Sequence, residues 1–159
     1  MRINNSKVKN TIISVYFILI VLAIVSATLF KSFSDVTKNR TLTYILIVFG
    51  FAILFFIVHF VSKYFEYDSD GLKVVVINRG LLLTDKFNYR EHKAEFDKEQ
   101  LYGYKFSNYF VYKTLKLYLK DSKGKKKTVK FNATLVSRKK RRYIRQSLSK
   151  IVKNNKKEA

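Results

Sequence analysis

Hydrophobic positions in this chain form two long, uninterrupted runs near the N-terminus. Residues 11–30 and 41–62 contain no Asp, Glu, Lys or Arg, and His59 is their only histidine. At about 1.5 Å per residue, a helix of either length is about 30 Å long and can cross the core of a bilayer. A helix also satisfies its own backbone hydrogen bonds in lipid. The two runs therefore predict a transmembrane helical hairpin joined by the polar residues 31–40.

The first run also has features of a secretory signal peptide. Basic residues precede it, and Val25-Ser26-Ala27 resembles a cleavage site. The run is longer than a usual signal core and a second run follows at once, which favours an uncleaved hairpin with both termini on one side. The N-terminal flank and the connection each contain three Lys/Arg, and the basic residues that follow the second run are Lys63, Lys73 and Arg79. This excess predicts cytoplasmic termini.

After residue 62 the pattern changes to short runs of β-branched and aromatic residues bounded by turn signals. Runs at 64–68 and 72–78 flank Asp70-Gly71, which fits a tight turn because Gly tolerates positive φ. Leu81 to Leu83 opens a further strand, the polar residues 85–93 predict a loop, and more strands are expected around 94–106.

The clearest hairpin joins residues 113–121 to residues 126–134. Its strands alternate between apolar and polar positions, the period of a sheet with one buried face. The apolar positions are Leu115, Leu117, Leu119, Val129 and Phe131.

The basic stretch 137–154 has the period of a helix. Ile144, Leu148, Ile151 and Val152 share one face, which we expect to pack on the strands. Most basic residues of the stretch fall on the opposite side, and only Lys140 and Arg141 intrude on the apolar stripe.

Charge is distributed unevenly over the 159 residues, whose formal net charge is +21. Residues 101–159 contain nineteen Lys/Arg against Asp121 and Glu158, a bias typical of proteins that meet anionic lipid or nucleic acid. The candidate anionic-surface residues are Lys123, Lys125, Lys126 and Lys127 in the hairpin turn, and Arg138, Lys139, Arg142, Arg145, Lys150 and Lys153 on the helix.

The order of elements resembles the bacterial membrane-anchored pleckstrin-homology-like (PH-like) proteins. The resemblance is carried by Tyr64-x-x-Tyr67-Asp68-x-Asp70-Gly71-Leu72, Asn78-Arg79-Gly80-Leu81, the hairpin 113–131 and the helix 137–153. It implies an N-terminal flank and hairpin at 1–62, followed at 63–159 by an α+β domain. That domain would be an antiparallel β-barrel or sandwich capped by the C-terminal amphipathic helix, and the membrane would be the bacterial inner membrane.

The sequence contains no catalytic constellation. It has no Cys, no Gly-rich phosphate loop and no His-Glu-x-x-His, and its one cluster of His with carboxylates is His92 with Glu91 and Glu95. A solvated face is the more frequent role of such a cluster. We therefore expect a protein that is not an enzyme and that holds no metal or cofactor.

Three functional hypotheses remain open. The first is a binding or scaffold module at the inner leaflet that engages anionic lipid or a protein partner. The second is a membrane-tethered nucleic-acid binder that stacks bases on exposed aromatic rings. The tyrosines that could do so are Tyr102, Tyr104, Tyr109, Tyr112 and Tyr118. The third is an accessory subunit of a larger membrane complex or a homo-oligomer.

Overall fold

The computed structural model describes residues 1–29, 40–81, 91–110, 112–121 and 124–157. The chain forms two compact units: Lys9–Phe60 is one, and Met1–Val8 together with Val61–Ala159 is the other. This division differs from the predicted one, because Met1–Val8 folds with the C-terminal domain and not with the hairpin.

The first unit consists of two apolar helices, α1 (Lys9–Thr28) and α2 (Arg40–Val61). Both are long and apolar enough to cross a membrane. Their large side chains are mostly exposed, whereas the core helix of a soluble protein would bury them. One aromatic contact joins the helices, with the rings of Tyr16 and Phe55 stacked 5.9 Å apart. The predicted connection falls largely outside the described residues.

The second unit contains two antiparallel sheets followed by a helix. The first sheet has the order β1 (Arg2–Asn4), β2 (Lys63–Asp68), β3 (Lys73–Gly80) and β4 (His92–Asp97). The second has the order β5 (Leu101–Tyr109), β6 (Tyr112–Lys120) and β7 (Lys126–Asn132), and α3 (Arg138–Lys157) follows. Short 3-10 helices lie at Ser6–Val8 and Lys98–Gln100.

In the sequence, the helical hairpin separates strand β1 from the other strands of its sheet. Ile3 pairs with Tyr67 and Asn4 with Glu66, so the hairpin is an insertion between the first two strands of the domain. Residues 2–4 of the predicted flank therefore form a strand of the C-terminal domain.

The core lies between the sheets and α3. The alternation of the predicted hairpin is confirmed, because its apolar positions are all buried. The amphipathic helix is confirmed as well, with Ile144, Leu148 and Ile151 buried and Val152 partly buried against the core. The period of 2 thus correctly predicts which side chains of β6 are buried, and the period of 3.6 does the same for α3.

The antiparallel α+β architecture with a C-terminal helix agrees with the predicted class, but the described sheets do not close into a barrel. Among the described residues, β4 and β7 are each paired on one side only. The predicted loop 85–93 is corrected at its end, since His92 and Lys93 begin β4. The predicted strand 81–83 lies beyond the described residues except for Leu81, a buried bend residue.

Candidate membrane-facing site

The strand registers define two ends of the C-terminal domain. At one end Lys63 pairs with Gly80, and the chain leaves the domain at Val8 and returns at Val61. We call this the attachment end. At the opposite end Lys73 pairs with Asp97, and we call it the distal end. The six residues of β2 separate the two ends by about 20 Å.

Asn5 fastens the two chain segments that meet at the attachment end. Its side chain is buried, its Nδ2 donates to the Lys63 carbonyl at 3.0 Å, and its Oδ1 accepts from the Phe65 N–H at 2.9 Å. Its own N–H donates to the Phe65 carbonyl at 3.2 Å. An amide side chain can satisfy one donor and one acceptor of a facing strand at once, so Asn5 continues the β1–β2 ladder past the last residue of β1.

A carboxylate cluster supports the same pair of strands. Glu66 is nearly buried, and it accepts from the Arg2 Nε and from the Tyr64 hydroxyl, each at 2.6 Å. The Arg79 guanidinium lies over the Tyr64 ring, 4.6 Å from its centroid. Burial and the hydrogen bond to Glu66 raise the pKa of Tyr64 to about 12. The neutral phenol is therefore the form that this cluster stabilises.

The first turn of α3 lies at the attachment end. The Lys140 Nζ donates to the Asn4 carbonyl at 2.6 Å, which explains why a lysine intrudes on the apolar stripe. Ser137 caps the helix, since its Oγ accepts from the Lys140 N–H at 3.4 Å. The exposed side chains of this turn border an open groove of about 640 Å³. The groove is lined by Arg138, Lys139, Arg142, Tyr143 and Gln146.

Positive charge at this helix terminus is uncompensated within the described residues. The first turn of α3 contains no acidic residue. Burial lowers the pKa of Arg141, and the neighbouring guanidinium groups of Arg145 and Arg138 lower it further. Cations at a helix N-terminus also oppose the helix dipole, at about 0.3–1 kcal/mol each. A bound external anion would reduce the repulsion among these guanidinium groups and the unfavourable interaction of the cations with the helix dipole.

Two exposed aromatic residues also lie at the attachment end, Tyr109 as the last residue of β5 and Phe110 directly after it. Thr114 of β6 pairs with Asn132, and Asn132 exchanges hydrogen bonds with Asn78, whose amide also donates to the Tyr64 carbonyl. Tyr109 and Phe110 lie further along β5 and its connection to β6 than this row of paired residues. Phe110 is fully exposed and Tyr109 is 57% exposed.

The ten candidate anionic-surface residues divide between the two ends. Lys125, Lys126 and Lys127 are exposed at the distal end, and Lys123 lies outside the described residues. The seven residues of β7 separate this turn from the attachment end by about 20 Å, more than twice the Debye length of about 8 Å in physiological salt. The hairpin turn and the start of α3 therefore do not form one site.

Helix α3 connects the two ends. Asn155 near its C-terminus donates to the Lys98 carbonyl at 2.7 Å, which places Lys150 and Lys153 towards the distal end. Arg145, midway along the helix, lies over the Phe106 ring at 5.4 Å from its centroid. Only Arg138, Lys139 and Arg142 of the candidate residues thus lie at the attachment end.

The predicted cluster of His92 with carboxylates is exposed, and two of its members contact different partners. His92 lies 4.9 Å from the Phe131 ring, and Glu95 forms ion pairs with Lys73 and Lys93. No group of three or more His, Cys, Asp or Glu that could hold a metal occurs in the described parts of the chain.

Sequence reasoning missed strand β1 with Asn5, because three residues are too few to show a period. It named Tyr109 as a ring that could stack on a base but did not name Phe110, although adjacent aromatic residues at a turn position depart from the usual turn chemistry.

No family model matches the chain, and no curated protein or solved structure is detectably similar to it.

Proposed function

We propose that this chain is a bacterial inner-membrane protein whose PH-like C-terminal domain is held on the anionic cytoplasmic leaflet, where it serves as a non-enzymatic binding or scaffold module. The observation that carries the proposal is the insertion of the apolar hairpin between β1 and β2. Both connections leave the domain at one end, so a membrane-inserted hairpin keeps that end within a few residues of the lipid surface.

The groups gathered at the attachment end suit a lipid surface. Arg138, Lys139 and Arg142 are exposed cations, and each cation near an anionic leaflet contributes on the order of 1 kcal/mol before screening. Tyr109 and Phe110 are exposed aromatic residues, the type that is enriched where membrane meets water. Water is an unfavourable environment for such a pair, and the headgroup layer accepts both rings and cations.

Chain connectivity also supports cytoplasmic termini. Because β1 pairs with β2, the basic residues of the N-terminal flank and those after the second span count for the same side of the membrane. These are three Lys/Arg before the first span and three soon after the second, against three in the connection. The excess favours the cytoplasm for the domain. Cleavage after α1 would remove β1 from its sheet, which favours an uncleaved first span.

The sequence offers a sharp test because it contains no Trp. In the full chain reconstituted in nanodiscs, Phe110→Trp introduces a single indole at the attachment end, and Leu72→Trp introduces one at the exposed distal β2–β3 turn. We expect brominated lipid to quench the indole of F110W and to leave that of L72W unquenched. Equal quenching of the two, or none for F110W, would overturn the proposed orientation.

Charge is tested separately on the F110W background. Replacing Arg138, Lys139 and Arg142 by Gln should reduce quenching in discs that contain phosphatidylglycerol and should have little effect in phosphatidylcholine alone. Replacing Lys125, Lys126 and Lys127 by Gln makes the same change in charge at the distal end and serves as the matched control. If the two triple variants behave alike, net charge and not position determines the interaction.

Three of the tyrosines needed for a nucleic-acid platform make contacts within the domain. The Tyr104 hydroxyl donates to the Arg145 carbonyl at 3.2 Å, and the Tyr118 ring lies 6.0 Å from the Tyr102 ring. Neither contact favours a base-stacking surface, so we advance no second function.

A further inference from the structure

The domain has an open side between the two strands that end its sheets. Strand β4 is the edge strand of one sheet and β7 of the other; the ring contact of His92 with Phe131 joins them at one end, and both strands border the same cavity further along. Two adjoining cavities of about 450 Å³ each occupy the space between them, and both are bordered by Glu95, Leu119 and Lys127. Volumes of this size are typical of ligand clefts.

The outer edge of β7 presents backbone groups to this cleft. Asn132 directs its N–H and carbonyl outward to the Asn78 side chain, whereas the Ala133 N–H donates inward to the Lys113 carbonyl of β6. Successive residues of an antiparallel edge strand alternate between these two directions. The peptide groups of Lys126, Thr128 and Lys130 therefore point away from β6. We find no hydrogen bond on that side of these three residues within the described ranges.

Lysines dominate the border of the cleft. It has six of them against two carboxylates, Glu95 and Asp121, and Glu95 is already paired with Lys73 and Lys93. The six are Lys93, Lys120, Lys125, Lys126, Lys127 and Lys130. The cleft is therefore electropositive, and among the described residues the outer side of β7 that borders it pairs with no other strand.

We propose that this cleft binds an extended, acidic segment of a partner protein, which pairs with β7 as an added strand. A lipid headgroup or a nucleic-acid phosphate would use the lysines but would leave the strand edge unpaired. An acidic peptide uses both, because main-chain hydrogen bonds give affinity and charged side chains select the partner. The cleft opens between β4 and β7 and is separate from the aromatic turn and the start of α3, so this proposal does not depend on the proposed lipid contact.

The probe is a fluorescent peptide of alternating Glu and Val, as long as β7, added to the full chain in neutral detergent micelles. We expect saturable binding that weakens with salt, and no binding of the corresponding Lys and Val peptide. N-methylation of every second residue removes the donors of one peptide edge. Of the two possible methylated peptides, at least one should bind roughly a hundredfold more weakly, since several ladder hydrogen bonds are lost.

The matched variants act on one peptide group of β7. Thr128→Pro removes the outward N–H and leaves the β6 ladder intact, as edge strands allow, whereas Thr128→Val keeps the peptide group. We expect T128P to weaken binding roughly fivefold to tenfold, the factor for one backbone hydrogen bond, and T128V to bind like the natural sequence. Near-ultraviolet circular dichroism reports whether T128P remains folded, and the methylated peptides test the same pairing without any variant.

Three outcomes would overturn the proposal. Equal affinity for the unmethylated and both methylated peptides would show a purely electrostatic contact. Absence of saturable binding by the Glu and Val peptide would show that the cleft takes no acidic strand. Self-association of the chain that T128P abolishes, without peptide binding, would assign the cleft to a second copy.

Discussion

Replacing Asn5 by Ala tests whether the N-terminal strand is a structural part of the domain. The change removes the acceptor of the buried Phe65 N–H and the donor to the Lys63 carbonyl. A buried donor left without its partner costs about 1–3 kcal/mol, and the second lost bond costs about 1 kcal/mol. We therefore expect N5A to lower the free energy of unfolding of the domain by about 2–4 kcal/mol.

The assay is urea unfolding of the full chain in detergent micelles, followed by near-ultraviolet circular dichroism of the tyrosines. Asn4→Ala is the matched control, because the Asn4 side chain bonds only locally to Ser6 in the described structure, and we expect a change within about 0.5 kcal/mol. Amide exchange at residues 2–5 should accelerate in N5A and not in N4A. Equal stability of the two variants would show that the hydrogen bonds of Asn5 do not stabilise the domain, and that the pairing of β1 with β2 is not a stabilising contact.

Two further changes probe other parts of the domain. Leu148 is fully buried on α3, and we expect Leu148→Ala to lower the free energy of unfolding by about 3 kcal/mol in the same assay. Lys150 is exposed, and Lys150→Ala should leave that free energy nearly unchanged. A small effect of L148A would contradict packing of α3 on the sheets. The pKa of Tyr64 is raised to about 12 in the folded domain, so folding favours the neutral phenol. The stability that Tyr64 contributes is therefore complete below pH 10 and is lost as the pH rises towards 12. Stability measured across pH 10–12 should fall less in Tyr64→Phe than in the natural sequence, and identical pH profiles would contradict the raised pKa of Tyr64.

The elements in which a hydrophobic pattern repeats several times could be predicted from the sequence. Leu115, Leu117 and Leu119 alternate with polar residues, and the side chains of all three are buried, because a strand must turn every second side chain to the core. The helix face with Ile144 and Leu148 is equally clear, since burial of an apolar stripe determines how an amphipathic helix packs.

The parts that form the candidate site carry no such period. Strand β1 has three residues, and its partner strand lies beyond two apolar helices in the sequence. Asn5 acts through hydrogen bonds to a distant backbone, and nothing local in the sequence distinguishes it from Asn4. Lys140 looks misplaced on the apolar stripe until its ammonium group is seen to bind the Asn4 carbonyl. The open side between β4 and β7 depends on how two sheets approach each other, which no run of residues encodes by itself.

Attachment through two adjacent strands changes what a lipid contact has to achieve. In the proposed arrangement the hairpin is the membrane anchor, so the surface of the domain needs only to select an orientation. Three cations at about 1 kcal/mol each give about 3 kcal/mol, which corresponds to a preference of roughly a hundredfold for one orientation. The same energy would give an untethered domain only weak affinity for lipid. If the attachment end docks on the leaflet as proposed, the distal lysines and the β7 edge point away from the lipid, so opposite ends of the fold can serve different partners. The proposal thus requires that the two triple Gln variants differ, one at the start of α3 and one in the β6–β7 turn.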